Sequence, residues 1–134
     1  MKTEKVNQFL KYISQWASIQ SDIQAIALVG SHASGTATET SDVDLVIITD
    51  DPNQYLHNFL WTERFGTVHK QQVEKYGLVT SIRVWYDDGL EVEYGITNEV
   101  WAAEPLEKGT QQVIADGMRI LFERGTILSR HLLK

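Results

Sequence analysis

Two short, nearly unbroken apolar runs, Ala25 to Val29 and Leu45 to Ile48, the second reaching back to Val43, do most to limit what this chain can fold into. Runs of this length without alternation suit strands covered on both faces. Upstream, Val6, Phe9, Leu10, Ile13, Trp16 and Ala17 recur at three- and four-residue spacing, which places one apolar stripe on a helix that must cover something. Asp51 and Pro52 suit the cap and first turn of a short helix over Asn53 to Trp61. The period then changes to two. Leu78 to Tyr86 and Leu90 to Thr97 read as strands joined at Asp87-Asp88-Gly89, a hairpin turn that uses glycine's freedom at positive φ. Thr67 to Lys75 adds an earlier strand, Leu106 to Ala115 a helix ended by Gly117, Met118 to Phe122 a short strand, and Ile127 to Leu133 closing helical turns. The expectation is one mixed α/β (α+β) domain over residues 1–134, with helices flanking a mostly antiparallel or mixed β-sheet.

Charge and composition exclude several function classes. The 134 residues carry 12 Lys and Arg against 18 Asp and Glu, a net charge of -6, with no basic run to displace counterions from duplex nucleic acid. Nucleic acid is therefore not the expected partner. The absence of cysteine removes disulfides, thiolate metal sites and Cys nucleophiles together. No apolar run approaches the ~20 residues of a membrane span, and MKTEKVNQ lacks a signal peptide's apolar core. No membrane association and a cytoplasmic address are expected.

The chemistry concentrates in LVGSHASGTATETSDVDLVI, residues 28 to 47. A buried strand ends at Gly30-Ser31, a small-residue loop follows, and Asp42 and Asp44 stand two apart at the mouth of the next strand. Residues i and i+2 of a strand share a face, so these carboxylates lie about 6–7 Å apart at the backbone and converge on one centre. At ~4 Å and an effective dielectric of ~20 their repulsion is about 4 kcal/mol, which a purely structural role gives no reason to bear. A divalent cation turns that cost into binding, and carboxylate-only ligation suits Mg²⁺ or Mn²⁺ shared with substrate phosphates. Gly30 lets a phosphate approach the backbone, and Ser31 with the following amides can donate to phosphate oxygens.

With ten residues between Ser31 and Asp42, this segment resembles the nucleotidyltransferase superfamily typified by DNA polymerase β and the aminoglycoside adenylyltransferases, whose motif is Gly-Ser, about ten residues, then Asp-x-Asp. The similarity extends weakly through KGTQQVIADGMRILFE, so it spans roughly residues 20 to 125. The resemblance implies a nucleotidyltransferase-like fold and a third carboxylate on a later strand. Strand parity leaves Glu91 and Glu93 of LEVEYGI equivalent; similarity to the small antibiotic adenylyltransferases, where the acid follows a hairpin's Asp-Gly by a few residues, favours Glu93. It further implies transfer of a nucleotidyl group, AMP from ATP or another nucleoside triphosphate, to a hydroxyl acceptor, with a small molecule as the first choice. Asp42, Asp44 and Glu93 would be the metal-binding and catalytic carboxylates, and Gly30 and Ser31 would hold the β- and γ-phosphates. Glu93 would complete the second metal site or accept the acceptor's proton. Two other functions share these residues: a protein-modifying antitoxin of the minimal nucleotidyltransferase type with a small helical partner, and a nucleotide-binding module without turnover. The acceptor is expected at a homodimer interface, on a partner, or on surfaces added to this core.

Other features carry less. Gly30 to Gly35 has P-loop spacing, but Thr36 stands where Lys is needed, and Lys108-Gly109 has the two residues in the wrong order. His32, His57, His69 and His131 make no metal-like pair, although His32, beside Ser31, is placed to touch phosphate. Trp61, Trp85 and Trp101 read as core, and Arg83 and Lys70 as a solvated face rather than a phosphate-neutralising pair.

Overall fold

The computed structural model describes residues 2–132. In it the amphipathic stripe forms α1 (Lys2–Ser18), and its six apolar residues are all buried. Strand β1 (Ile23–Val29) follows, then a single turn of helix α2 (Ser31–Ser34), β2 (Val43–Thr49), α3 (Pro52–Leu56) and a 3₁₀ segment at Leu60–Phe65. The period-two region forms β3 (Val68–Tyr76), β4 (Val79–Tyr86) and β5 (Glu91–Thr97); a 3₁₀ turn at Glu99–Ala102, α4 (Lys108–Asp116) and β6 (Arg119–Glu123) complete the order.

The six strands form one sheet in the order β3-β4-β5-β2-β1-β6. Every neighbouring pair is antiparallel except β2 and β5, which run parallel with Asp44 opposite Glu93 and Leu45 opposite Tyr94. The sheet is therefore mixed. The two apolar runs of the sequence are its β1 and β2 strands, in the interior and covered on both faces as their composition requires. One face puts Ile26, Leu28, Leu45, Ile47, Tyr94 and Ile96 under α1, where each buried aliphatic side chain stabilises by about 1.5–3 kcal/mol. The other face packs Ala25, Ala27, Val46 and Ile48 against Trp101, Ala102 and Leu128.

Aromatic side chains fasten the helical layer. Trp16 of α1 stacks on Trp61 at 5.6 Å and 11°, Tyr55, Phe65 and Tyr94 meet these rings edge-on, and Phe65 lies tilted against Tyr94. Asp22 Oδ2 accepts hydrogen bonds from both Thr49 (2.7 Å) and Tyr55 (2.6 Å), which ties α3 to the ends of β1 and β2. Tyr94, fully buried, donates its hydroxyl to Tyr86 (2.7 Å), which in turn donates to the Thr62 carbonyl (2.7 Å). Replacing Tyr94 by phenylalanine keeps the packing and removes one link of this chain, so a loss of about 1 kcal/mol in urea unfolding is expected. An unchanged midpoint would show the link contributes nothing.

Three local expectations change. Asp51 makes no side-chain cap; its backbone amide donates to Thr49 Oγ1 (3.1 Å), holding it to the strand end instead. The helix expected to reach Trp61 stops at Leu56 because Asn58 Oδ1 accepts the Leu60 amide (2.9 Å), a local turn that competes with helix. The closing segment is a 3₁₀ turn at Ser129–His131 rather than several helical turns, and Leu133 lies outside the described residues.

Candidate active site

The face of the sheet opposite α1 carries one straight row of polar side chains across four strands. Asp44 of β2 pairs with Glu93 of β5, Glu93 with Arg83 of β4, and Arg83 with Gln72 of β3. Asp42, immediately before β2, joins the row from the loop side. One carboxylate oxygen each from Asp42, Asp44 and Glu93 lies within 4.8 Å of the others, and all three side chains are half-buried. Of the two glutamates, Glu93 is the one that joins the aspartates. Parallel pairing sets Glu93 beside Asp44, whereas Glu91 pairs with Trp85 and turns its carboxylate to Arg83.

Gly30 ends β1 at φ 71°, a conformation open to glycine, and sits against Asp44. A Cβ there would overlap Asp44 Oδ2 and lie 3.1 Å from Asp44 Cγ, so the carboxylate occupies the space left by the missing side chain. Ser31 opens α2, whose single turn closes at Gly35. Beside Asp44 and Glu93 lies a cleft of about 400 Å³, bounded by Gly30, by Tyr76 at the end of β3, by Trp101, and by Thr110 and Val113 of α4. Two further carboxylates, Glu107 and Asp116, lie on its rim, and no Lys, Arg or His is among its described lining residues. His32 does not reach this cleft; it lines a separate cavity with Leu10, Leu28 and Arg119.

The electrostatics are unbalanced in a way that invites a cation. Asp44 Oδ1 is buried without a hydrogen-bond partner. Burial first, and then the neighbouring Glu93 and Asp42 carboxylates, push the Asp44 carboxyl up to about 8. An oxygen-only donor set with an orphaned buried oxygen fits Mg²⁺ or Mn²⁺. Next along the row, between Glu93 and Gln72, stands Arg83. Its Nη1 donates to Asp42 Oδ2 (2.9 Å) and Glu91 Oε2 (2.7 Å), its Nε donates to Glu74 Oε1 (3.0 Å), and Nη2 stands 3.4 Å from Glu93 Oε1. Burial opposes this charge, but the bonds to Glu74 and Glu91 hold the guanidinium above its ordinary value.

Sequence reasoning missed the Arg83 cluster and the cleft wall. Arg83 is not on a freely solvated face; it is bound to carboxylates from three other parts of the sheet. Lys70 lies over the Trp85 ring, 5.0 Å from its centroid. Trp61 packs half-buried against the core under α1, and Trp101 is buried in the core of the other face and also lines the cleft.

Residues 6–120 match the family described as a nucleotidyltransferase domain. No curated protein matches the chain. Among solved structures, an aminoglycoside 6-adenyltransferase from Bacillus subtilis is similar at a TM-score of 0.56 and 16% identity, over 81% of this chain and 37% of that one. A cytoplasmic RNA terminal U-transferase is similar at a TM-score of 0.49 and 16% identity, over 74% of this chain and 31% of its own. The chain thus spans 37% and 31% of the lengths of these two structures. The Bacillus subtilis likeness is one of fold, a mixed sheet with flanking helices. The family match runs from α1 through the strand ending at Gly30, both aspartates and Glu93 to the start of β6, and by it this chain belongs to the nucleotidyltransferase-domain family.

Proposed function

We propose that this chain, working as one domain over residues 1–134, transfers the nucleotidyl group of a nucleoside triphosphate, AMP from ATP, to a hydroxyl on a small cationic acceptor. The observation that carries the reading is the Asp42–Asp44–Glu93 cluster, with its orphaned buried oxygen, at the wall of an open cleft beside Gly30. These three carboxylates would hold Mg²⁺ or Mn²⁺, which supplies charge neutralisation of the phosphates and of the departing pyrophosphate. Gly30 leaves room for the Asp44 carboxylate against the backbone, and Ser31 would donate to the phosphate oxygens. The acceptor hydroxyl gives its proton to Glu93 and its oxygen bonds to the α-phosphorus as the bond to pyrophosphate breaks. Glu107 and Asp116, the cleft carboxylates outside the metal-binding cluster, give the lining a negative field that attracts amines, so a positively charged hydroxyl compound suits it better than a neutral or acidic one. The aminoglycoside of the Bacillus subtilis enzyme's name supplies a first acceptor class to try.

Melting curves with each nucleoside triphosphate, with and without Mg²⁺ or Mn²⁺, test the binding half of this reading. A nucleotide at ~100 times its dissociation constant adds about 2.7 kcal/mol, a shift of several degrees that should vanish in EDTA. Pyrophosphate release should then require an amino-sugar acceptor and fall when a neutral polyol replaces it. No shift with any nucleotide and either metal would overturn the assignment.

A further inference from the structure

The geometry points to Arg83 as the residue that sets how tightly the three carboxylates hold a divalent cation before nucleotide arrives. The inference rests on the metal-dependent reading above. Five carboxylates gather here, Asp42, Asp44, Glu74, Glu91 and Glu93, and the guanidinium of Arg83 touches four of them. Its contacts are not equivalent. Glu74 and Glu91 lie outside the triad and anchor the guanidinium from the β3 and β5 sides, while Asp42 and Glu93 belong to the triad and each turn an oxygen toward it. With its side chain only 22% exposed, the positive charge is poorly screened by water.

A fixed cation bonded to two of three ligands has two effects. It holds Asp42 and Glu93 together without a metal, and it repels an incoming dication across the same short distances. Arg83 therefore lowers the affinity of the empty protein for free Mg²⁺ or Mn²⁺. A triphosphate brings several negative charges to the cleft and offsets the guanidinium, so the metal is held well only together with its nucleotide. Arg83 acts through the carboxylates; it is a positioning and affinity-setting residue, not one that touches the reacting atoms.

Mn²⁺ binding, followed by the electron paramagnetic resonance of the free ion with no nucleotide present, reads this directly. Arg83→Gln should bind Mn²⁺ at least tenfold more tightly than the wild type. Arg83→Lys keeps the charge but not the fork, and should stay within about threefold of the wild type if Coulombic repulsion sets the affinity. Equal or weaker binding by Arg83→Gln, or a lysine variant that behaves like it, would overturn the inference and leave Arg83 a structural tie. If Arg83→Gln does not fold, Glu91→Gln takes its place. That change releases Nη1 to Asp42 alone and removes a negative charge, so Mn²⁺ should bind at least threefold more weakly, and an unchanged affinity would count against the role of Arg83. A wild type that binds no Mn²⁺ even with ATP present overturns the proposed function itself, a result distinct from wild-type binding that Arg83→Gln leaves unaltered.

Discussion

Asp44→Asn abolishes metal-dependent pyrophosphate release, by about 10³-fold or more, equivalent to ~4 kcal/mol of lost transition-state stabilisation. Asn is nearly isosteric and keeps the half-buried position, so the fold survives; it loses the anionic oxygen that the cluster offers a cation. The same substitution should stabilise the metal-free protein in a pH-dependent way. The folded carboxyl titrates at about 8, while the unfolded one titrates near the ordinary 3.8. Between those values the folded state keeps a proton that the unfolded state has released, so wild-type stability falls as pH rises through that window and is flat outside it. Asn carries no such titration. In EDTA the two proteins should melt together near pH 4 and diverge toward pH 8, where the Asn variant melts roughly 5–10 °C higher once partial solvent screening is allowed for. Parallel melting at every pH would show that Asp44 is not held against its charge. Adding Mg²⁺ and nucleotide at pH 8 should raise the wild type alone.

Gly30→Ala is the second large effect, and it acts on the same carboxylate from the backbone side. The new Cβ would overlap Asp44 Oδ2 and sit 3.3 Å from Asp44 Cβ. A side chain this short has no distant rotamer that clears the methyl and still meets Asp42 and Glu93. The backbone at φ 71° and ψ -155° lies in a region essentially confined to glycine, which adds about 1–3 kcal/mol. Turnover should fall at least ~100-fold, about 2.7 kcal/mol, and the nucleotide-dependent thermal shift should be largely lost, while the protein without nucleotide melts a few degrees lower from the strain. A variant that melts like the wild type and binds nucleotide normally would show that Asp44 moves freely. Circular dichroism beside the binding assay separates a displaced carboxylate from a broken fold.

Much of this arrangement was legible in the chain because it is local. Gly30-Ser31, Asp42 and Asp44 lie within fifteen residues, and the strands that carry them announce themselves by composition. The stripe of α1, from Val6 to Ala17, is legible for the same reason: one helix face needs only its own spacing to be seen. Glu93 is half-legible. Alternation places it and Glu91 on one face, but only the parallel register of β5 against β2 separates them. Arg83 is illegible from sequence, since its meaning depends on β3, β4, β5 and the loop before β2 meeting at one point. The contribution of α4 to the cleft is hidden likewise, because its spacing says that one side is buried and not what that side faces. Asp51 illustrates the opposite error, a good capping residue at a good position that the strand end claims first.

The parallel seam between β2 and β5 makes this site a check on strand alignment. Side chains alternate along a strand, so sliding β5 by a single residue would turn Glu93 into the hydrophobic layer and present Val92 or Tyr94 to Asp44. The apolar partners Val43 with Val92, Leu45 with Tyr94 and Ile47 with Ile96 forbid that slip, and Gly95, where a Cβ would come 2.8 Å from the Leu45 carbonyl oxygen, admits the close approach of the two backbones. Packing along the seam thereby guards the chemistry. Mutational tolerance along this seam should follow alignment rather than hydrophobicity, and a chain caught with β5 one step out of place would be compact, well packed in part, and without a site.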